Sequence, residues 1–92
     1  MKKEFKILII YDISNDKSRN KFFNTLSGYG HGIQKSAFLC ILNNIQYKKM
    51  LYDLDKIKID DNDSVCIYKL YNFKEIIIGK KMDIIEKNYL IL

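Results

Sequence analysis

At 92 residues with 48% hydrophobic content, the chain has room for one globular domain with a small core, and it is not disordered. Lys plus Arg outnumber Asp plus Glu by 16 to 11, and the excess sits in the first half: residues 1–50 hold nine cations and three acids, residues 51–92 seven and eight. A basic half suits an anionic partner, nucleic acid above all; no apolar run nears the roughly 18 residues of a membrane span, and two cysteines with a single histidine argue against zinc.

The first element is Phe5–Tyr11, almost wholly apolar, which predicts a central strand with both faces covered. Its short apolar core and the lack of a small-residue cleavage site distinguish it from a signal peptide. It stops at Asp12. Ser14, Asn15 and Asp16 are all good N-caps for a helix reaching about Ser27, with Phe22, Phe23, Leu26 and Tyr29 on its buried face. Gly28, Gly30 and Gly32 then stop it and make a turn around His31. Ile33–Leu42 is read as a strand, bent near Ser36 into two pieces. Asn43 or Asn44 caps a second helix that buries Tyr47, Met50, Leu51, Leu54 and Ile57. Asp60, Asp61 and Asp63 mark a solvated turn, since the Gly and terminal Glu of a calcium loop are missing. Ser64–Tyr71 is a strand, Lys74–Ile78 a short one, and the tail ends Tyr-Leu-Ile-Leu.

The order predicts an α+β, ferredoxin-like βαββαβ domain over 1–92, with helices on one face of an antiparallel sheet and an extra C-terminal strand. The extension from about 74 to 92 follows a complete fold and ends in an apolar tail. It is expected to pair with the sheet of a second copy, giving a homodimer. Cys40 and Cys66, both in apolar runs, read as buried thiols of a cytoplasmic protein.

Two features carry chemistry. Asp12 is a carboxylate at the mouth of an apolar strand. It suits a plain turn residue that starts the helix, and it equally suits a ligand for Mg²⁺ or Mn²⁺, with two copies meeting in a dimer to share one ion. Lys17, Arg19 and Lys21 crowd the first turns of a helix, where cations oppose the macrodipole. That placement fits either solvated surface or a bound phosphate.

The run Tyr11-Asp12-Ile13-Ser14-Asn15-Asp16-Lys17-Ser18-Arg19-Asn20-Lys21 closely resembles the opening of the CRISPR-associated Cas-two (Cas2) family. The resemblance continues through Gly28-Tyr29-Gly30, through Ile33-Gln34-Lys35-Ser36-Ala37-Phe38, and through Asp63-Ser64-Val65-Cys66-Ile67-Tyr68. It implies a homodimer that works with the Cas-one integrase in acquiring CRISPR spacers and binds duplex DNA and RNA. It further implies a metal-dependent endonuclease, with a non-catalytic DNA-binding scaffold as the alternative and a toxin-type ribonuclease as a third reading. On that resemblance Asp12 is the metal-binding aspartate, with Tyr11 beside it as a catalytic residue. The family's basic helix positions fall on Arg19 and Lys21, and its strand serine and aromatic on Ser36 and Phe38; with the neighbouring cations Lys17 and Lys35, the residues Arg19, Lys21 and Ser36 make the expected nucleic-acid-binding set, and Phe38 is read as core or dimer interface. Gly32 stands where many members carry Arg, which removes a phosphate clamp, and Lys35 stands where Tyr is common.

Overall fold

The computed structural model describes residues 3–70, 76, 78 and 79. Strand β1 spans Glu4–Asp12, helix α1 Asp16–Ser27, β2 Gly30–Gln34, β3 Ala37–Asn43, helix α2 Asn44–Asp55 and β4 Ser64–Leu70. The sheet order is β2-β3-β1-β4, every pairing antiparallel, so the ferredoxin-like arrangement expected from the sequence is the one observed. The expected extra strand and the apolar tail fall on residues 71–92, of which only Ile76, Ile78 and Gly79 are described. Among the described residues no helix is long and apolar enough to cross a membrane.

Both helices begin on asparagine caps. The Asn15 side chain accepts from the Ser18 N–H at 3.0 Å. Asn43 accepts from Gln46 N–H while the Gln46 side chain accepts from Asn43 N–H, a reciprocal capping box. α1 buries Phe22, Phe23 and Leu26, and α2 buries Met50 and Leu54, against Ile7, Ile9 and Tyr11 of β1 and Phe38, Cys40 and Leu42 of β3. The Tyr29 hydroxyl donates to Asp53 Oδ2 at 2.5 Å and ties the end of α1 to α2; burial and this carboxylate push the phenol up to about 12.

The described residues cover only one face of β1. With both helices on one side, alternate residues Lys6, Leu8, Ile10 and Asp12 face away from the core. Across the ladders they pair with Leu39 and Ile41 of β3 and with Cys66, Tyr68 and Leu70 of β4. Ile10, Ile41 and Tyr68 are 45%, 51% and 49% exposed. The second face of the sheet is thus apolar, and no element among the described residues covers it. Cys66 lies on it and is exposed, contrary to its expected burial, whereas Cys40 is buried beneath the helices and its thiol is pushed up to about 11 by desolvation.

The glycine-rich stretch is also corrected. Residues 30–34 are strand, not turn, and His31 sits on the open face opposite Leu39. Gly30 lies across from Cys40, where an added Cβ would meet the Leu39 carbonyl, Cys40 Sγ at 2.6 Å and Cys40 Cα at 2.9 Å. The missing side chain lets β2 close onto β3. Gly30→Ala is therefore expected to destabilise the protein by about 2–3 kcal/mol, as overpacking against backbone does, read as a lowered midpoint in chemical unfolding.

Candidate nucleic-acid and metal site

Asp12 ends β1, exposed on the open face, with Ser64 of β4 as its cross-strand partner. Two turns converge on this end of the sheet. The β2–β3 turn is Lys35-Ser36, with Ser36 in the left-handed region at φ 64°. Its carbonyl accepts the Tyr11 N–H at 3.0 Å, which seats the turn against the residue before Asp12. On the other flank α1 starts within four residues of Asp12 and carries Lys17 and, one turn on, Lys21. Lys17, Lys21 and Lys35 are exposed. The fold therefore gathers Asp12, Lys17, Lys35 and Ser36 around one end of the sheet, and Lys21 extends the basic strip along α1.

Three expected site residues stand elsewhere. Tyr11 is 2% exposed, packed between Phe22 (ring centroids 5.8 Å) and Phe38 (6.5 Å). As its neighbour Asp12 points to the open face, period-two alternation sends Tyr11 into the core. The ring thus stands on the face opposite Asp12, and burial raises its phenol against the lowering charge of Arg19. Phe38, read as core or dimer interface, takes the first of these places. It is 1% exposed under the helices, edge-on to Phe23 at 5.4 Å, and is a core residue of the protomer.

Arg19, expected to bind phosphate, is turned inward with its side chain 17% exposed. Nη1 donates to the carbonyls of Ile13 at 3.0 Å and Ser14 at 3.4 Å, and Nη2 pairs with Asp16. Nε is buried without a partner, as is the Tyr11 hydroxyl. A guanidinium spent on the loop that follows Asp12 shapes that loop and has little left for a ligand.

Asp63 is the residue the sequence reading missed. Its Oδ1 accepts from the Ser14 N–H and the Ser14 hydroxyl, both at 3.1 Å, and its Oδ2 accepts from the Asp60 N–H at 2.9 Å. The Asp60 and Ser14 donors hold the carboxyl below the usual carboxylate range. These bonds are intact above the ordinary aspartate pKa and are lost as pH falls through the depressed value. Only the register that sets Ser64 opposite Asp12 would have singled this acid out from its neighbours in an acidic turn.

Among the described residues no three His, Cys, Asp or Glu side chains cluster as a metal site. Both oxygens of Asp63 are engaged and Asp16 pairs with Arg19, so Asp12 is the exposed carboxylate that the sheet itself carries, while Asp60 and Asp61 are exposed in the turn before β4. One exposed hard oxygen donor fits magnesium chemistry in the form in which water and substrate phosphate complete the shell, with a second copy of Asp12 adding to it.

The chain matches the family model described as CRISPR associated protein Cas2 over residues 5–75. A CRISPR-associated endoribonuclease Cas2 of Synechocystis is 42% identical over 67 residues, 68% of this chain and 71% of that one. One from Mycobacterium tuberculosis is 38% identical over 64 residues, 70% of this chain and 56% of its own length. Among solved structures, a hypothetical protein of Thermus thermophilus superposes with a TM-score of 0.75 at 25% identity, covering 89% of this chain and 99% of that one. A Cas2 crystal structure superposes with a TM-score of 0.71 at 26% identity, covering 86% and 91%.

Proposed function

Because the chain belongs to the CRISPR-associated protein Cas2 family, we propose that it is a homodimeric nucleic-acid-binding protein of spacer acquisition, which holds a duplex on its lysine-bearing end and cleaves phosphodiesters at Asp12. The observation that carries this reading is the exposed Asp12 carboxylate flanked by Lys17, Lys35 and Ser36 and continuous with an uncovered apolar sheet face. Lysines neutralise backbone phosphates and draw the polymer in. The β2–β3 turn and the start of α1 orient that backbone over Asp12. A magnesium or manganese ion held at Asp12 would neutralise charge on the scissile phosphate and activate a water.

Pairing through the open face supports the same reading. Ile10, Ile41 and Tyr68 are too apolar to be left in water together, and a two-fold axis through that face brings the two Asp12 carboxylates onto a common surface and doubles the basic strip. The Cas-one integrase is the protein partner that the proposed adaptation role requires. A second reading, a scaffold that binds DNA without cutting it, is favoured by the inward turn of Arg19 and the burial of Tyr11, which leave Asp12 with few chemical helpers.

The test of binding is its salt dependence. Log K for a duplex should fall linearly with log salt, at roughly 0.9 unit per phosphate neutralised. Joint replacement of Lys17, Lys21 and Lys35 by Ala should reduce that slope by several units in a dimer. Arg19→Ala should leave the slope nearly unchanged and lower the melting temperature instead. Affinity indifferent to salt would overturn the electrostatic mode.

A further inference from the structure

We propose that Asp63 is a positioning residue for Asp12: by gripping the chain just beyond β1 it fixes where the Asp12 side chain stands. This rests on the reading of Asp12 as the working carboxylate, while its own observations involve no metal. The β1–β4 ladder ends at the pair Asp12 and Ser64, so sheet hydrogen bonds with β4 no longer restrain the chain at residues 13–15. Asp63 acts at that break. Its Oδ1 takes both the N–H and the hydroxyl of Ser14 at 3.1 Å, and its Oδ2 takes the Asp60 N–H at 2.9 Å, which keeps the carboxylate itself from swinging away. The Ser18 hydroxyl donates to the Lys58 carbonyl at 2.9 Å and adds a second tie between the same two loops. From the other flank Arg19 holds the carbonyls of Ile13 and Ser14. Ile13, 3% exposed, is anchored in the core between Asp12 and the gripped Ser14. An acid at this register does what a longer strand would do, while leaving Asp12 at the rim and open to a ligand.

The experiment uses the full chain, labelled with carbon-13 and nitrogen-15, as wild type, Asp63→Ala, Asp63→Asn and Ser14→Ala at neutral pH. Asn keeps an oxygen for the Ser14 donors but turns a donor toward Asp60 N–H, so it separates the two ties. Asp63→Ala should speed exchange of the Ser14 amide about fivefold or more, the effect of losing one net hydrogen bond. It should also shift the side-chain carboxyl carbon resonance of Asp12, and Asp63→Asn should restore that resonance. Manganese titration followed by electron paramagnetic resonance should show weaker binding in Asp63→Ala and recovery in Asp63→Asn. A lower melting point with an unmoved Asp12 resonance would make Asp63 a loop stabiliser and overturn the proposal. Should Asp63→Ala fail to fold, Ser14→Ala removes the hydroxyl tie alone and is read in the same way. A wild type that binds no manganese refutes the metal reading of Asp12, while the Asp12 resonance in the variants still decides for or against Asp63.

Discussion

Asp12→Asn is expected to abolish divalent-metal-dependent cleavage of RNA or DNA, by about 100-fold or more, while the protein folds normally and still binds duplex. The carboxamide keeps the shape of the side chain and loses the charge that a hard cation requires. Loss of one preorganised electrostatic partner of a transition state costs on that order. Asp12 is exposed at the end of β1 and packs against nothing in the core, so the melting temperature should hardly move. Binding should survive or tighten, since a negative charge beside the phosphate track has been removed. If two copies contribute one carboxylate each, a mixed dimer carrying a single Asn should already be badly impaired. Cleavage and binding must be measured on the same preparations of wild type and variant. Equal residual cleavage in both would identify a contaminating nuclease and leave the scaffold reading standing.

Ile41→Asp, or Tyr68→Asp, is expected to convert a dimer of about 22 kDa into a folded monomer of 11.0 kDa by light scattering. Both side chains are half exposed on the uncovered face and opposite to the helices, so the protomer core does not feel the change. In a two-fold interface each substitution is counted twice, and an unpaired charge at an apolar contact costs several kcal/mol. The monomer should retain its circular dichroism. Because only one lysine strip then meets each duplex, the salt slope should fall by about half and affinity by more than tenfold. A variant that remains dimeric would show that the open face is not the pairing surface, and would move attention to the chain beyond Leu70.

The pattern of apolar residues carried most of the fold. The cap positions, to within a residue of Asn15 and Asn43, and the helical spacing of Phe22, Leu26, Met50 and Leu54 were legible because each is local. The run Ile7-Leu8-Ile9-Ile10 was misleading. It looks like a strand buried on both sides, yet among the described residues half of it meets helices and half lies on a face that no described element covers, and apolar residues are used for both. Gly30 and Gly32 suggested a turn because glycine usually does. Here the close approach of Cys40 is what excludes a side chain at Gly30, and that is a tertiary fact with no local trace. The placement of Asp12, Lys17, Lys35 and Ser36 at one end of the sheet was legible, since strand ends and turns expose what they carry. Tyr11 was set beside Asp12, and Phe38 left between core and interface, for want of the face parity of their strands. Arg19 was misplaced because nothing in its spacing says that it will fold back on the carbonyls of Ile13 and Ser14.

The inward turn of Arg19 has a further effect, because it is the only arginine in the chain. With that guanidinium committed to its own backbone, the outward-facing cations around Asp12 are ammonium groups on long, pliant stems. A forked donor demands two acceptors at fixed separation, whereas a point charge does not. Phosphate spacing differs between the A-form helix of RNA and the B-form helix of DNA, and a lysine surface adapts to either by rotating its stems. Such a surface holds the polymer by its charge density and not by its helical geometry. Any preference between ribose and deoxyribose then falls to groups close to the sugar.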